Sequence, residues 1–478
     1  MQSSKLIQVL KTFSVAEMRR FAEFANSPFF NKNQNIRLFV DYLKNHYPKF
    51  AYPNVEKEKV FTALFPKEKL NEQRIRDLIS MTLKLAEEFL IILNHESKKI
   101  LKQNYLLSEL NQRGLDNLFE MRFKETKQLL AKTGFYENYY YENYFFNLTE
   151  FEYKNRVFLG DDKALEKYYD GTVRIKSLTS FYLFEVLIIY TFWVSAGSKF
   201  NRTSNFDKVE QALLTLKEKL VGSEMIIELY LLTLKMLITK DEKYFFELKT
   251  ILCHKKFSAI IPQEQKGFLI NLSNYCSDKI SGGNYEYSKH AIEIYKTLLE
   301  RNIFLQDGVI SHVFFTNVVV HSIYSNQTEW LDGFMSKHRK FLQPHMEEST
   351  INYCLAQLNF HRKKYREVLK HLHKAHTNSI FRQMNIKALQ LRTYYEMKDG
   401  DALLHVMDAY RHAISNAETI PKEIENAQLA FLKNMKKLIA LKNNFEKAEA
   451  EKFKKELNAN QKFIYLPWLL EKAKALNN

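Results

Sequence analysis

The sequence predicts an all-α protein of paired helices, and three observations carry that prediction. Glycine and proline together supply 20 of 478 residues, about a third of their usual share of roughly 12%. Turn-rich sandwiches and glycine-loop nucleotide folds need more of both, whereas long helices joined by short turns need fewer. Apolar residues also recur at helical spacing in almost every segment. Ile351, Cys354, Leu355 and Leu358 form one such set, and Tyr365, Val368, Leu369, Leu372 and Ala375 a second. Met384, Ala388, Leu391 and Tyr395 form a third, and Ala402, Val406, Ala409 and Ala413 a fourth. Each set is predicted to line one helix face. Finally, the pattern repeats: Leu355 to Leu389, Phe360 to Tyr394, Val368 to Ala402 and Ala375 to Ala409 are all 34 residues apart.

Taken in order, residues 1–96 predict a helical bundle. Ser14 followed by Glu17 predicts a capping box at the start of "VAEMRRFAEFANS". "SPFFNKN" (27–33) predicts a turn, and "IRLFVDYLKNHYPKF", "EKEKVFTALFP" and "EQRIRDLISMTLKLAEEFLIIL" predict three further helices with proline-marked joints. Residues 97–443 predict stacked helix pairs. Within them "FDKVEQALLTLKEKL" (206–220), "YEYSKHAIEIYKTLLE" (285–300) and "TEWLDGFMSKHRKFL" (328–342) are candidate second helices. The turn "KDGD" (398–401) offers Gly400 as a C-cap and Asp401 as an N-cap. Residues 444–478 predict capping helices, with Pro467 suited to a helix first turn.

A two-helix period of 34, with small residues seven apart on the second helix, resembles the tetratricopeptide repeat. "AQLNFHRKKYREVLKHLHKA" and "ALQLRTYYEMKDGDALLHVMDAYRHAI" carry the resemblance. Val368 stands where the family usually has alanine, and the first-helix glycine and terminal proline are missing from both copies. The resemblance implies a right-handed superhelical α-solenoid that binds protein partners. Separately, "FANSPFFNKN", "LFVDYLKNHYPKF" and "VFTALFP" are similar to the leader of uncharacterised proteins from Bacteroidota, which implies no activity.

No phosphate-binding glycine loop, dinucleotide fingerprint, zinc-protease helix or nucleophile elbow occurs in the sequence. The pair Gly282-Gly283 could offer N–H groups to a phosphate, but a lone pair is far too weak a signal, and a loop before a helix is expected. His371, His373 and His376 invite a metal, yet Glu367 is the sole nearby carboxylate, so they are expected to be solvated polar-face histidines. The chain is therefore expected to be non-enzymatic, without a cofactor or metal.

Charge is more informative. The net charge is +16, and residues 337–392 hold twelve basic against three acidic side chains, more than half of that excess. Lys337, Arg339, Lys340, Arg362, Lys363, Lys364, Arg366, Lys370 and Lys374 are the candidate contacts for an anionic partner. Repeats stack in register, so neighbouring helices can join leftover charges into one surface. The bland alternative is a solvated face.

Three scattered cysteines, Cys253, Cys276 and Cys354, fit a reducing compartment. The first residues lack a signal-peptide core, so a cytoplasmic protein is expected. "SFYLFEVLIIYTFWVSAG" (180–197) carries one charge, Glu185, and is expected to be a buried helix, not a membrane span. "FYENYYYENYFF" (135–146) is expected to be core. The function expected is a scaffold or adaptor that binds a peptide or protein partner. The alternative is a nucleic-acid-associated regulator using the basic segment or residues 1–96.

Overall fold

A computed structural model describes residues 1–133, 135–136, 138–161, 163–164, 171–197, 214–215, 217–221, 224–253, 260–416, 420, 422–459 and 464–477. Among the described residues there are 22 α-helices and no strand. The chain divides into two compact units, residues 1–132 with 148–169, and residues 133–147 with 170–478.

The first unit starts with α1 (Lys5–Leu10), α2 (Val15–Asn26), α3 (Gln34–Asn45), α4 (Lys57–Leu64) and α5 (Glu72–Ser97). Local chemistry fixes where these helices begin. Ser14 and Glu17 form the expected capping box: the Glu17 N–H donates to Ser14 Oγ at 3.2 Å, and the Ser14 N–H donates to Glu17 Oε2 at 2.6 Å. Those hydrogen bonds hold the Glu17 carboxyl below its usual range. In the "SPFFNKN" turn, buried Asn31 donates to the Ala25 carbonyl at 2.8 Å and accepts from the Asn33 N–H at 2.9 Å. Asn33 in turn caps α3 through the Asn35 N–H. The bundle closes on phenylalanines: Phe13, Phe21 and Phe24 each meet Phe89 with ring centroids 5.5–5.6 Å apart and the rings tilted by 48–57°, within the separation at which aromatic pairs attract. Next come α6 (Lys99–Gln112), α7 (Asp116–Thr133) and α8 (Tyr139–Val157).

The second unit continues with α9 (Gly171–Gly197), α10 (Met225–Thr239), α11 (Glu242–Cys253), α12 (Pro262–Ser281), α13 (Tyr287–Glu300), α14 (His312–Tyr324) and α15 (Leu331–His338). Then follow α16 (Pro344–His361), α17 (Tyr365–Lys374), α18 (Ile380–Met397), α19 (Gly400–Ser415), α20 (Lys422–Asn443), α21 (Lys447–Ala459) and α22 (Leu466–Lys474). From α9 to α14, and again from α16 to α20, each helix packs on the next one in sequence. α14 also packs on α16, and α16 on α18. The core is therefore assembled largely from chain neighbours. The aromatic run at 135–146 contributes to it through buried Tyr140, with Phe135 and Tyr139 packed alongside. Tyr140 and Ser180 both donate to the Glu224 carboxylate, at 2.5 and 3.0 Å. Residue 137 of that run, and most of the candidate helix 206–220, lie outside the described residues.

The scarcity of glycine has a local explanation. Gly114, Gly283, Asn302, Asn326, Lys363 and Lys398 end six helices at left-handed φ angles of 54–94°. In each case the next N–H reaches back to the carbonyl five residues earlier, at 2.8–3.1 Å, which is the Schellman stop. Only two of the six positions use glycine; asparagine tolerates this conformation and lysine is forced into it.

Three expectations change. The "KDGD" turn is shifted: Lys398 holds the left-handed position, Asp399 caps α19 by accepting from the Ala402 N–H at 3.1 Å, and Gly400 is already helical. An aspartate one residue ahead of the helix reaches the third N–H, so the turn needs only two residues. On α19 the buried face is Leu403, Val406, Met407, Tyr410 and Ile414, with Ala402, Ala409 and Ala413 on its flank. Finally, α9 is not buried all round. Leu183, Phe184 and Leu187 pack inward, while Phe192 is 75% exposed. Among the described residues α9 is the one helix long and apolar enough to cross a membrane.

Candidate functional site

The basic segment occupies α15 to α18, and α16 sets its layout. Tyr353 and Ala356 of α16 join Val368 and Leu372 of α17 in one small core, with Ile386 and Leu389 of α18 on its other side. Cys354 and Leu358 face α14 and the larger core. Packing on two sides leaves α17 one free face. Val368, Leu372 and Ala375 are buried, so Arg366, Lys370 and Lys374, four residues apart, fall on the opposite side and are exposed.

The nine predicted contacts form two groups. Lys337, Arg339 and Lys340 lie at the end of α15, beside the first turn of α16. Arg339 donates to Glu347 Oε1 from Nε at 3.0 Å and from Nη2 at 2.6 Å. Arg362, Lys363, Lys364 and Arg366 lie at the other end of α16, and Arg362 Nη2 donates to Asp332 Oδ2 at 3.1 Å. With 18 residues in α16 at a rise of 1.5 Å each, the two ends are about 27 Å apart. α17 runs back along α16: His371 Nδ1 and Asn352 Oδ1 lie 2.9 Å apart, and Ser349 donates to the His376 carbonyl. Lys370 and Lys374 therefore lead from the second group toward the level of the first.

Ion pairing sorts these cations further. Arg339, Arg362 and Lys370 are engaged, the last donating to Glu367 at 2.7 Å. The Lys370 hydrogen bond is the main reason the Glu367 carboxyl titrates below its usual range. Lys337, Lys363, Lys364, Arg366 and Lys374 have no carboxylate partner among the described residues. Of these, Lys364 feels a nearby carboxylate, acting on Glu367 through space without a salt bridge, and α17 reinforces the charge arrangement. Glu367 sits in its first turn and His371, His373 and Lys374 in its last, each at the end of the helix dipole that favours it.

Two arginines in the segment turn out to be structural. Arg392 is 5% exposed. Its guanidinium carbon lies 4.0 Å from the Tyr465 ring centre and 4.8 Å from that of Phe360, a cation–π sandwich in place of a counter-ion. Arg382 lies 4.3 Å over Tyr353 and donates to Thr316 Oγ1 at 2.8 Å. The surface charge of this region is thus smaller than its composition suggests. Sequence spacing alone gives no sign of either role, because both aromatic partners of Arg392 come from other helices or loops.

The histidines do not converge. His371 is turned to Asn352, and the His373 and His376 rings are 6.3 Å apart. Among the described residues no three His, Cys, Asp or Glu side chains are grouped to hold a metal ion. Burial raises the Cys354 thiol to about 12, which keeps it protonated and unreactive at neutral pH. The N–H groups of Gly283 and Asn284 are spent on the carbonyls of Ile280 and Lys279 at 3.0 and 2.9 Å. The phosphate role considered for Gly282-Gly283 loses its donors to that helix stop. An open cleft of about 390 Å³ is lined by Arg339, Pro344, Glu347, Glu348, Ile351 and Asn352. Its two carboxylates flank the one arginine, so it is not a cationic pocket.

No protein-family model, curated protein or solved structure matches the chain.

Proposed function

We propose that the second unit is a tetratricopeptide-like α-solenoid acting as a non-enzymatic scaffold, and that α17 with the turn before it binds an acidic peptide segment of a protein partner. The carrying observation is the set of unpaired cations Lys363, Lys364, Arg366 and Lys374 on the outer face of α17 and its leading turn. Neighbour-on-neighbour packing from α9 to α14 and from α16 to α20 supports the solenoid, since such stacks hold each pair only by the next. An extended acidic segment suits a linear row of cations better than a compact ligand does. The partner would meet flexible lysines in solvent, so affinity would be moderate and salt-sensitive.

The test is fluorescence anisotropy of a labelled Glu/Asp-rich peptide at low and near-physiological salt. Wild type and a Lys363→Ala/Lys364→Ala/Arg366→Ala/Lys374→Ala variant would be compared, with single-stranded RNA and duplex DNA as parallel probes. The expected result is peptide binding that weakens at least tenfold in the variant. Absence of peptide binding at low salt would refute the proposal. Nucleic-acid binding with a steep salt slope, lost in the same variant, would replace it with the regulator alternative.

A further inference from the structure

The outer face of α9 has a regular pattern. Ile175, Leu178, Tyr182, Glu185, Ile189 and Phe192 are spaced alternately three and four residues apart and are all exposed. The four aliphatic and tyrosine positions are 46–59% exposed and Phe192 75%. A stripe with a 3.5-residue period is the seam of a coiled coil, narrower than the face a helix buries against a globular core. α9 already has its own core face on the other side, where Leu183, Phe184 and Leu187 pack on α10. It is therefore a helix with two apolar faces, one used and one open.

We infer that this open stripe pairs α9 with α9 of a second copy, antiparallel, about a two-fold axis between Tyr182 and Glu185. In an antiparallel seam each a position faces a d position of the partner helix. That rule sets Ile175 against Phe192, Leu178 against Ile189 and Tyr182 against Glu185, and the two-fold axis generates each pair twice. The stripe is thus complementary to itself: the outer layers are apolar, and the one charge meets a phenol that can donate to it. An isologous dimer requires this property. With Trp193, 48% exposed and flanking the stripe, the surface available is on the order of 800 Å² per copy, the half-interface of a standard complex. Tyr182, Phe192 and Trp193 are also the residue types that dominate interface energetics. A parallel pairing would bring Glu185 against Glu185. A bilayer would have to accommodate the same exposed carboxylate, and α9 is held by its opposite face to α10.

The test is light scattering on the full chain from about 1 to 100 µM, for wild type, Ile189→Glu and Phe192→Glu. The expected result is a wild-type dimer whose dissociation constant rises at least tenfold in either variant, with melting temperatures equal at concentrations where wild type is monomeric, because both positions face solvent in a single copy. A second measurement fixes the register under mild oxidation. Ile175→Cys/Phe192→Cys should form a covalent dimer, whereas each single cysteine should not. The two sites in one copy are 17 residues, about 26 Å, apart on the helix and cannot bridge internally. A wild type that stays monomeric at 100 µM overturns the inference, as does cross-linking by the single cysteines. Sedimentation of a monomer with anionic lipid vesicles would overturn it in favour of a membrane contact.

Discussion

The helix pair α16–α17 and the pair α18–α19 use the same inner design and different outer charges. Lys363 and Lys398 hold the equivalent left-handed turn positions, 35 residues apart. At the same offset the buried Val368 and Leu372 of α17 match the buried Leu403 and Met407 of α19. Applied to the outer face, the offset sets Lys364 against Asp399, Arg366 against Asp401, Lys370 against His405 and His373 against Asp408. Lys364 and Arg366 are therefore not a requirement of the hairpin, since its neighbour folds with aspartates in those two places, and Lys374 meets only Ala409. What the fold needs is repeated, and what it does not need has diverged. That contrast is the strongest physical reason to look for a partner on α17 and not on α19.

The most forceful way to break the comparison is to test the 35-residue register against the 34-residue one that the sequence suggests. In the first, Leu403 is the counterpart of Val368; in the second, Ala402 is. Leu403 is 5% exposed inside the core shared with Met407 and Tyr410. Leu403→Asp should cost about 4 kcal/mol or more, since a carboxylate there is buried without a partner. Ala402 is the third residue of α19 and half-buried on its flank. Ala402→Asp should change stability by less than about 0.5 kcal/mol, because an acid in the first turn suits the helix dipole. Urea unfolding of the two variants decides. Equal losses would mean that the two hairpins do not share this register.

A smaller effect separates the two hairpins at their caps. Asp399 accepts from the Ala402 N–H, whereas Lys364, its counterpart, makes no side-chain cap to α17. Asp399→Ala should cost about 1 kcal/mol, and Lys364→Asn should gain roughly 0.5–1 kcal/mol. The second change also removes one of the free cations. A protein that becomes more stable and binds acidic peptide less tightly would show that Lys364 is kept at the expense of the fold. Thermal melting and the anisotropy measurement on one variant read both quantities.

Much of the local structure could be read from sequence, and the failures share a cause. The Ser14–Glu17 box, the helical periods and Pro467 in the first turn of α22 depend on residues within a few positions of each other, so their chemistry is visible in the string. The inner face of α19 differs from the sequence expectation because small residues do not by themselves mark close approach. In the structure Leu403 and Met407 fill that space and the alanines flank them. α9 reads as a buried helix because its apolar content is high all round. Composition cannot tell which faces find neighbours. Arg392 is counted with the surface charge because its ring partners, Phe360 and Tyr465, are 32 and 73 residues away. Of the nine candidate contacts, the sequence identifies the residues but not the roughly 27 Å that divides them into two groups, nor which of them are neutralised by Asp332, Glu347 and Glu367.

The finest test concerns the turns themselves. Lys363 and Lys398 adopt φ of 57° and 60°, where a side chain with a Cβ is strained and glycine is not. Lys363→Gly and Lys398→Gly should each stabilise the protein, by up to about 1 kcal/mol, less whatever the glycine gains in freedom when unfolded. The two gains should be nearly equal, since both turns make the same pair of backward hydrogen bonds: Lys363 N–H to Phe360 and Lys364 N–H to Asn359 in one, Lys398 N–H to Tyr395 and Asp399 N–H to Tyr394 in the other. The functional consequences should differ. Lys363 is one of the unpaired cations at the head of α17, whereas Lys398 leads into the acidic face of α19. Calorimetric melting should therefore show the two variants alike, and only Lys363→Gly should lower affinity for the acidic peptide. If both variants bind like wild type, Lys363 drops out of the contact and the site contracts to Lys364, Arg366 and Lys374.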